Sequence, residues 1–116
     1  MSVRPDRYNF TAWKGATFRK ALVFHEGDRN SAPRNLTGYT ARMTIKDQAT
    51  GLVAKTLTTE NGGIVLGGST GIIMIFISDG DTTIATWQLG NYSLFLSRPN
   101  GDTDPLLYGN FSVKEL

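Results

Sequence analysis

The sequence predicts an all-β protein. Three observations carry that expectation. Short runs with alternating apolar and polar residues succeed one another, each closed by a Gly, Asn, Asp or Pro cluster. No long helical period interrupts them. Glycine occupies 13 of 116 positions, more than average usage gives and suited to a chain with many turns. About seven or eight antiparallel strands joined by short turns close most economically as two sheets face to face, an immunoglobulin-like β-sandwich. A small closed barrel is the alternative.

At this length the chain is expected to be one domain, residues 8–116, preceded by a flexible basic N-terminal arm, residues 1–7. Residues 8–13 form a first short extended piece that Lys14 and Gly15 end. In ATFRKALVFHEGD, Phe18, Leu22 and Phe24 fall on one face with Lys20 between them, Arg19, Ala21 and Val23 on the other, and Gly27-Asp28 closes the strand. RNSAPRNLTG is a polar, Pro33-containing loop. YTARMTIKD then gives the clearest alternation, with Tyr39, Ala41, Met43 and Ile45 toward the core and Thr40, Arg42, Thr44 and Lys46 toward water.

Asp47 to Gly51 reads as a hairpin turn into LVAKTLT, where Leu52, Ala54 and Leu57 are expected to pack. Ile64–Leu66 is a short strand between glycine pairs that permit positive φ. In residues 78–87 the run from Asp81 to Ala85 fits one helical turn capped by Asp79 or Asp81. NYSLFLSR puts Tyr92, Leu94 and Leu96 inward and Phe95 outward. Pro99-Asn100-Gly101-Asp102 is a tight turn, and the last strand alternates Leu107, Gly109, Phe111 and Val113 against Tyr108, Asn110, Ser112 and Lys114.

Composition narrows the chemistry. Without cysteine there is no disulfide, thiolate nucleophile or Cys-based zinc site. The start, MSVRPDRYNF, lacks the apolar core of a secretory signal, so synthesis in the cytosol is expected. The Asn-x-Ser/Thr triplets at Asn9, Asn35, Asn91 and Asn110 then read as coincidence rather than glycan sites. Net charge is +2 but uneven: residues 1–20 carry Arg4, Arg7, Lys14, Arg19 and Lys20 against Asp6 alone.

No constellation points to catalysis, and no enzyme, metal or cofactor is expected. The single histidine, His25, stands at a strand end beside Glu26 and Asp28, without the oriented base and nucleophile that hydrolysis needs. The pairs Asp79/Asp81 and Asp102/Asp104 lack the full ligand series of a Ca²⁺ loop and read as turn formers. NGGIVLGGSTG is followed by a strand rather than a helix, and no lysine follows it, so its glycines are hairpin bends and not a phosphate cradle. Arg42, Lys46 and the basic arm are too sparse for a nucleic-acid surface, and Ile72–Ile77 is far too short to span a bilayer.

The stretch GIIMIFIS, residues 71–78, departs from simple alternation. Ile73, Ile75 and Ile77 fill one face, yet Ile72, Met74 and Phe76 make the other face apolar too. Contiguous apolar patches mark interfaces. The expected interface comprises Ile72, Met74 and Phe76, extended by Phe95 if the strands are neighbours, with Arg4 and Arg7 reaching an acidic neighbour. The competing expectation is that the arm or the 78–87 connector covers that face. A carbohydrate-binding module, with Trp13, Trp87 and tyrosines as sugar platforms, is a reading from another class.

YNFTAWKGATFRKALVF, NLTGYTARMTIKD, TTENGGIVLGGSTGIIMIFIS and GNYSLFLSRPNGDTDPLLYGNFSV together resemble small β-sandwich virion proteins of tailed bacteriophages. The chain is similar to the N-terminal domain of siphophage upper baseplate proteins over residues 8–113, most clearly in LTGYTARMTIKD. The resemblance implies a non-enzymatic virion structural role: an adaptor in the tail or baseplate, in multiple symmetric copies, docked on other virion proteins. The alternative it leaves is a capsid decoration or cement protein stapling the major capsid protein. Localisation would be the virion, after synthesis in the host bacterial cytoplasm. Such proteins alternate with Thr on the outer side of the strand where this chain has Ile72, Met74 and Phe76, which points to a face covered by protein.

Overall fold

The computed structural model describes residues 6–25, 34–85 and 87–115. Arg4, the Gly27-Asp28 strand end and Pro33 lie outside them. The strands are β1 (Asp6–Arg7), β2 (Phe10–Trp13), β3 (Phe18–Val23), β4 (Thr40–Asp47), β5 (Val53–Thr58), β6 (Ile64–Leu66), β7 (Ile72–Ile77), β8 (Leu89–Ser97) and β9 (Thr103–Lys114). Among the described residues, a 3₁₀ turn, Gly68–Thr70, precedes β7 and a short helix, α1 (Asp79–Thr83), follows it. β1 and β2 run along the same neighbour and are halves of one strand interrupted at Tyr8 and Asn9, so the all-β sandwich has eight strands in this sense.

The larger sheet has the order β1-β9-β8-β4-β5, with β2 also paired to β9; the smaller has the order β3-β7-β6. Every pairing is antiparallel except those of β1 and β2, which run parallel to β9. Parallel strands need a long crossover, and here nearly the whole chain separates the two. Among the described residues pairing reaches back to Asp6, before the domain boundary expected at residue 8, and Arg7 is seated in the sheet opposite Tyr108.

The core lies between the sheets. Met43, Ile45, Leu94 and Phe111 from the larger sheet meet Ile64, Ile73 and Ile75 from the smaller. The inward rows of β4 and β8 are those the alternation predicts, with Ala41, Met43, Ile45, Tyr92, Leu94 and Leu96 all buried. Phe10, Phe18, Tyr92 and Phe111 form an aromatic cluster at the β2 side, with centroids from 5.0 to 6.4 Å apart, a geometry that adds to plain area burial.

The turns follow their residues. Gly51 donates to Asp47 O at 2.7 Å and closes the β4–β5 hairpin. Arg98 N bonds to Asp102 O, with Gly101 at φ +97°, between β8 and β9. Two local expectations are corrected. Leu52 sits in the turn before β5 and is largely exposed, while Leu57 is buried opposite Met43. The cap of α1 is Ser78, whose hydroxyl accepts from Asp81 N at 3.1 Å; Asp79 and Asp81 occupy the first turn instead, where carboxylates favour the helix dipole.

Candidate docking face

β7 divides its side chains as alternation requires. Ile73, Ile75 and Ile77 are buried, whereas Met74 is 36% exposed and Ile72 and Phe76 are half-buried on the opposite side. The register shows what surrounds them. On β3, Val23 pairs with Ile72, Ala21 with Met74 and Arg19 with Phe76; on β6, Val65 pairs with Met74. Directly paired side chains stand roughly 5 Å apart. Ala21, Val23, Val65, Ile72, Met74 and Phe76 are therefore one contiguous apolar face, with Val23 and Val65 about half exposed.

The polar exception is Arg19, whose guanidinium carbon stands 5.1 Å from the centre of the Phe76 ring. A planar cation over an aromatic face is attracted by the ring quadrupole while its apolar stem covers carbon. Neither cover expected within the described chain lies across the face. The connector is tied to the end of the sandwich: Thr82 Oγ1 donates to Ala16 O at 2.9 Å, and Asp81 pairs with Lys55 at 3.0 Å. β1 and β2 lie in the other sheet.

Phe95 does not extend this face. It is on β8, paired with Arg42 and Pro105, and points from the outer side of the larger sheet. The two apolar sites therefore look away from each other across the sandwich. Arg7 is also on the larger sheet, with its guanidinium 6.0 Å from the Tyr108 ring centre. The expected single interface thus separates: Ile72, Met74 and Phe76 come together, Phe95 and Arg7 lie on the opposite face, and Arg4 is outside the described residues.

The remaining candidates are occupied by structural work. Trp87 is 3% exposed, donates Nε1–H to Phe111 O at 3.1 Å and packs edge-on to Phe111; it presents no platform to a sugar. Trp13, Tyr8 and Tyr108 are the exposed aromatics that the sugar-platform reading named. Asp104 is bound by Arg98 at 2.6 Å, and Asp102 shapes its turn through Asn100. His25 is half-buried just beyond β3. The glycines of NGGIVLGGSTG form the bends around β6, with Gly62 at φ +79° and Gly71 at φ +70° before β7.

Three ionisable groups among the described residues are shifted by their surroundings. The Asp104 carboxylate raises the Arg98 guanidinium above its ordinary value, first through a hydrogen bond and then through charge. The Lys55 ammonium holds the Asp81 carboxyl below its ordinary range, first through a hydrogen bond and then through charge. Burial pushes the Tyr92 hydroxyl above its ordinary value, with Tyr8 adding to the effect. That hydroxyl donates to Tyr8 O, tying the β1–β2 junction to β8. All three brace the fold, and Asp81 lines with Lys55 and Ser78 a recess that Phe76 also borders.

Val65 is the face residue the sequence did not reveal. β6 is three residues long, too short to show alternation of its own, and its register on Met74 is set by the Gly67–Gly71 bend. Ala21 and Val23 were legible as the second face of β3, but their junction with β7 is a tertiary fact. No protein-family model matches the chain, and no curated protein matches it.

Proposed function

We propose that this protein is a non-enzymatic structural module of a bacteriophage virion, an adaptor in the tail or baseplate. In this reading it is seated in repeated copies, with the outer face of the smaller sheet against a neighbouring virion protein. One observation carries the reading: Ala21, Val23, Val65, Ile72, Met74 and Phe76 form a continuous apolar surface that the described chain leaves partly open to water. Burying side chains of this size contributes roughly 1.5–3 kcal/mol each, enough for a few to offset the ordering cost of association. Repetition around a symmetry axis multiplies a modest contact.

The sequence resemblance to small siphophage sandwich domains supports the virion setting, and the sandwich fold is compatible with it. The direct test is a density map of the intact particle encoded with this chain. The reading expects the sandwich in several symmetric copies at the tail or baseplate, with β7 facing a neighbour. Density over the capsid lattice instead would favour a decoration protein, and absence from the particle would overturn the virion role.

A further inference from the structure

We infer that the free edge of β3 is a strand-accepting site, which takes a short extended segment of another protein chain with alternating apolar residues and at least one carboxylate. In an antiparallel pair, residues alternate between exchanging hydrogen bonds with the partner and facing away from it. Phe24 donates to Gly71 O at the end of the β3–β7 ladder. By that alternation Phe18, Lys20 and Leu22 bond to β7, and the N–H and C=O groups of Arg19, Ala21 and Val23 point outward from the sheet. Among the described residues β3 has no second neighbouring strand.

A crevice lies along the same side of the sandwich. Tyr8, Leu22, Phe24, Ile73, Leu106 and Leu107 line an opening of about 150 Å³ between the β3 edge and the β1–β9 side of the larger sheet. An added strand would continue the smaller sheet and turn alternate side chains inward, into this apolar space; main-chain bonds supply affinity and the pocket supplies selectivity. β1 is the poorer acceptor, because it has two residues and breaks at Tyr8 and Asn9, whereas β3 offers six in unbroken register.

Charge selects the occupant. The smaller sheet carries two charged side chains, Arg19 and Lys20, both on β3 and both cationic. A second copy pairing edge to edge would place four cations and no anion on one two-stranded ribbon, which is unfavourable. An acidic strand meets them with opposite charge. This site uses main-chain groups and the crevice, so it stands or falls independently of docking through Ile72, Met74 and Phe76.

The test is an NMR titration of the ¹⁵N-labelled protein with capped six-residue peptides, matching the length of β3. One alternates leucine with glutamate, one leucine with lysine, and a third is the glutamate peptide N-methylated at alternate amides. The glutamate peptide is expected to shift the Arg19, Ala21 and Val23 amides and slow their exchange. The lysine peptide is expected to bind more weakly, by up to about fivefold for each charge pair lost, and the methylated peptide not to bind. Ala21→Pro, which removes an outward-facing amide and no ladder bond, should abolish binding; Arg19→Glu should reduce the preference for the acidic peptide if the proline variant fails to fold. The Ile72→Thr/Met74→Thr/Phe76→Thr variant should still bind. Slow exchange at the three amides in the free protein, no response to any peptide, or protection that grows with protein concentration alone would each overturn the proposal, the last by assigning the edge to a second copy.

Discussion

Arg19 and Phe76 face each other across the β3–β7 ladder, with the guanidinium 5.1 Å from the ring centre. This pair joins the charged rim of the smaller sheet to its apolar face. An exposed contact of this kind contributes about 0.5–1 kcal/mol. Arg19→Ala is therefore expected to lower stability by no more than that in urea titration. It also uncovers Phe76, so light scattering at high protein concentration should show more self-association than in the wild type.

Neighbouring residues on β7 should respond very unequally to truncation. Ile75 is wholly buried among core residues, and Ile75→Ala is expected to cost roughly 2–5 kcal/mol. Met74 points to the outer face, where Met74→Ala should cost about 1 kcal/mol or less. Chemical denaturation of the two variants checks the assignment of faces directly.

Gly109 is where β9 allows the N-terminal strand to pass. A Cβ at this position would collide with Tyr8 O and lie 2.8 Å from Asn9 Oδ1, and its φ of +152° is one that other residues rarely adopt. Gly109→Ala is expected to destabilise the protein by about 1–3 kcal/mol through this forced displacement. Amide exchange should accelerate first in β2, whose bonds to β9 begin at the next pairs.

Tyr92 gives the fold an alkaline limit. Its hydroxyl is neutral when it donates to Tyr8 O, and burial raises its folded pKa above the ordinary value of 10.0. A raised folded pKa contributes stability that is present below the unfolded value and lost as pH rises through and beyond it. Wild-type stability should fall above pH 10. Tyr92→Phe should be less stable at neutral pH by roughly 1–3 kcal/mol, because the Tyr8 carbonyl loses its donor, and should lack this part of the alkaline decline. Thermal melts across pH 8 to 11 measure both effects.

Much of the fold was legible because alternation is a local property. The inward rows of β4 and β8, the outward turn of Phe95 and the two apolar faces of β7 all follow from side chains pointing alternately up and down. Strand order is not local. Nothing in β7 or β8 alone states that β7 pairs with β3 and β6 while β8 pairs with β4 and β9, so Phe95 could be given a direction but not a sheet. The parallel seating of β1 and β2 on β9 joins opposite ends of the sequence and leaves no short-range signal. The alternative that made Trp87 a sugar platform loses that ring, because aromatic character alone does not distinguish a platform from a core residue; its indole N–H finds Phe111 O within the fold. Leu52 failed in the other direction, since the Asp47–Gly51 turn holds it outside the sandwich.

The central claim is that the outer face of β3, β7 and β6 is a docking surface that the protein can lose without losing its fold. Co-sedimentation of the purified protein with particles lacking it tests this most directly, using wild type and the Ile72→Thr/Met74→Thr/Phe76→Thr variant, whose circular dichroism and melting should match those of a folded sandwich. Wild type is expected to pellet with the particles and the variant to stay in the supernatant. Equal recovery of the two on the particles, or of neither, would contradict the claim.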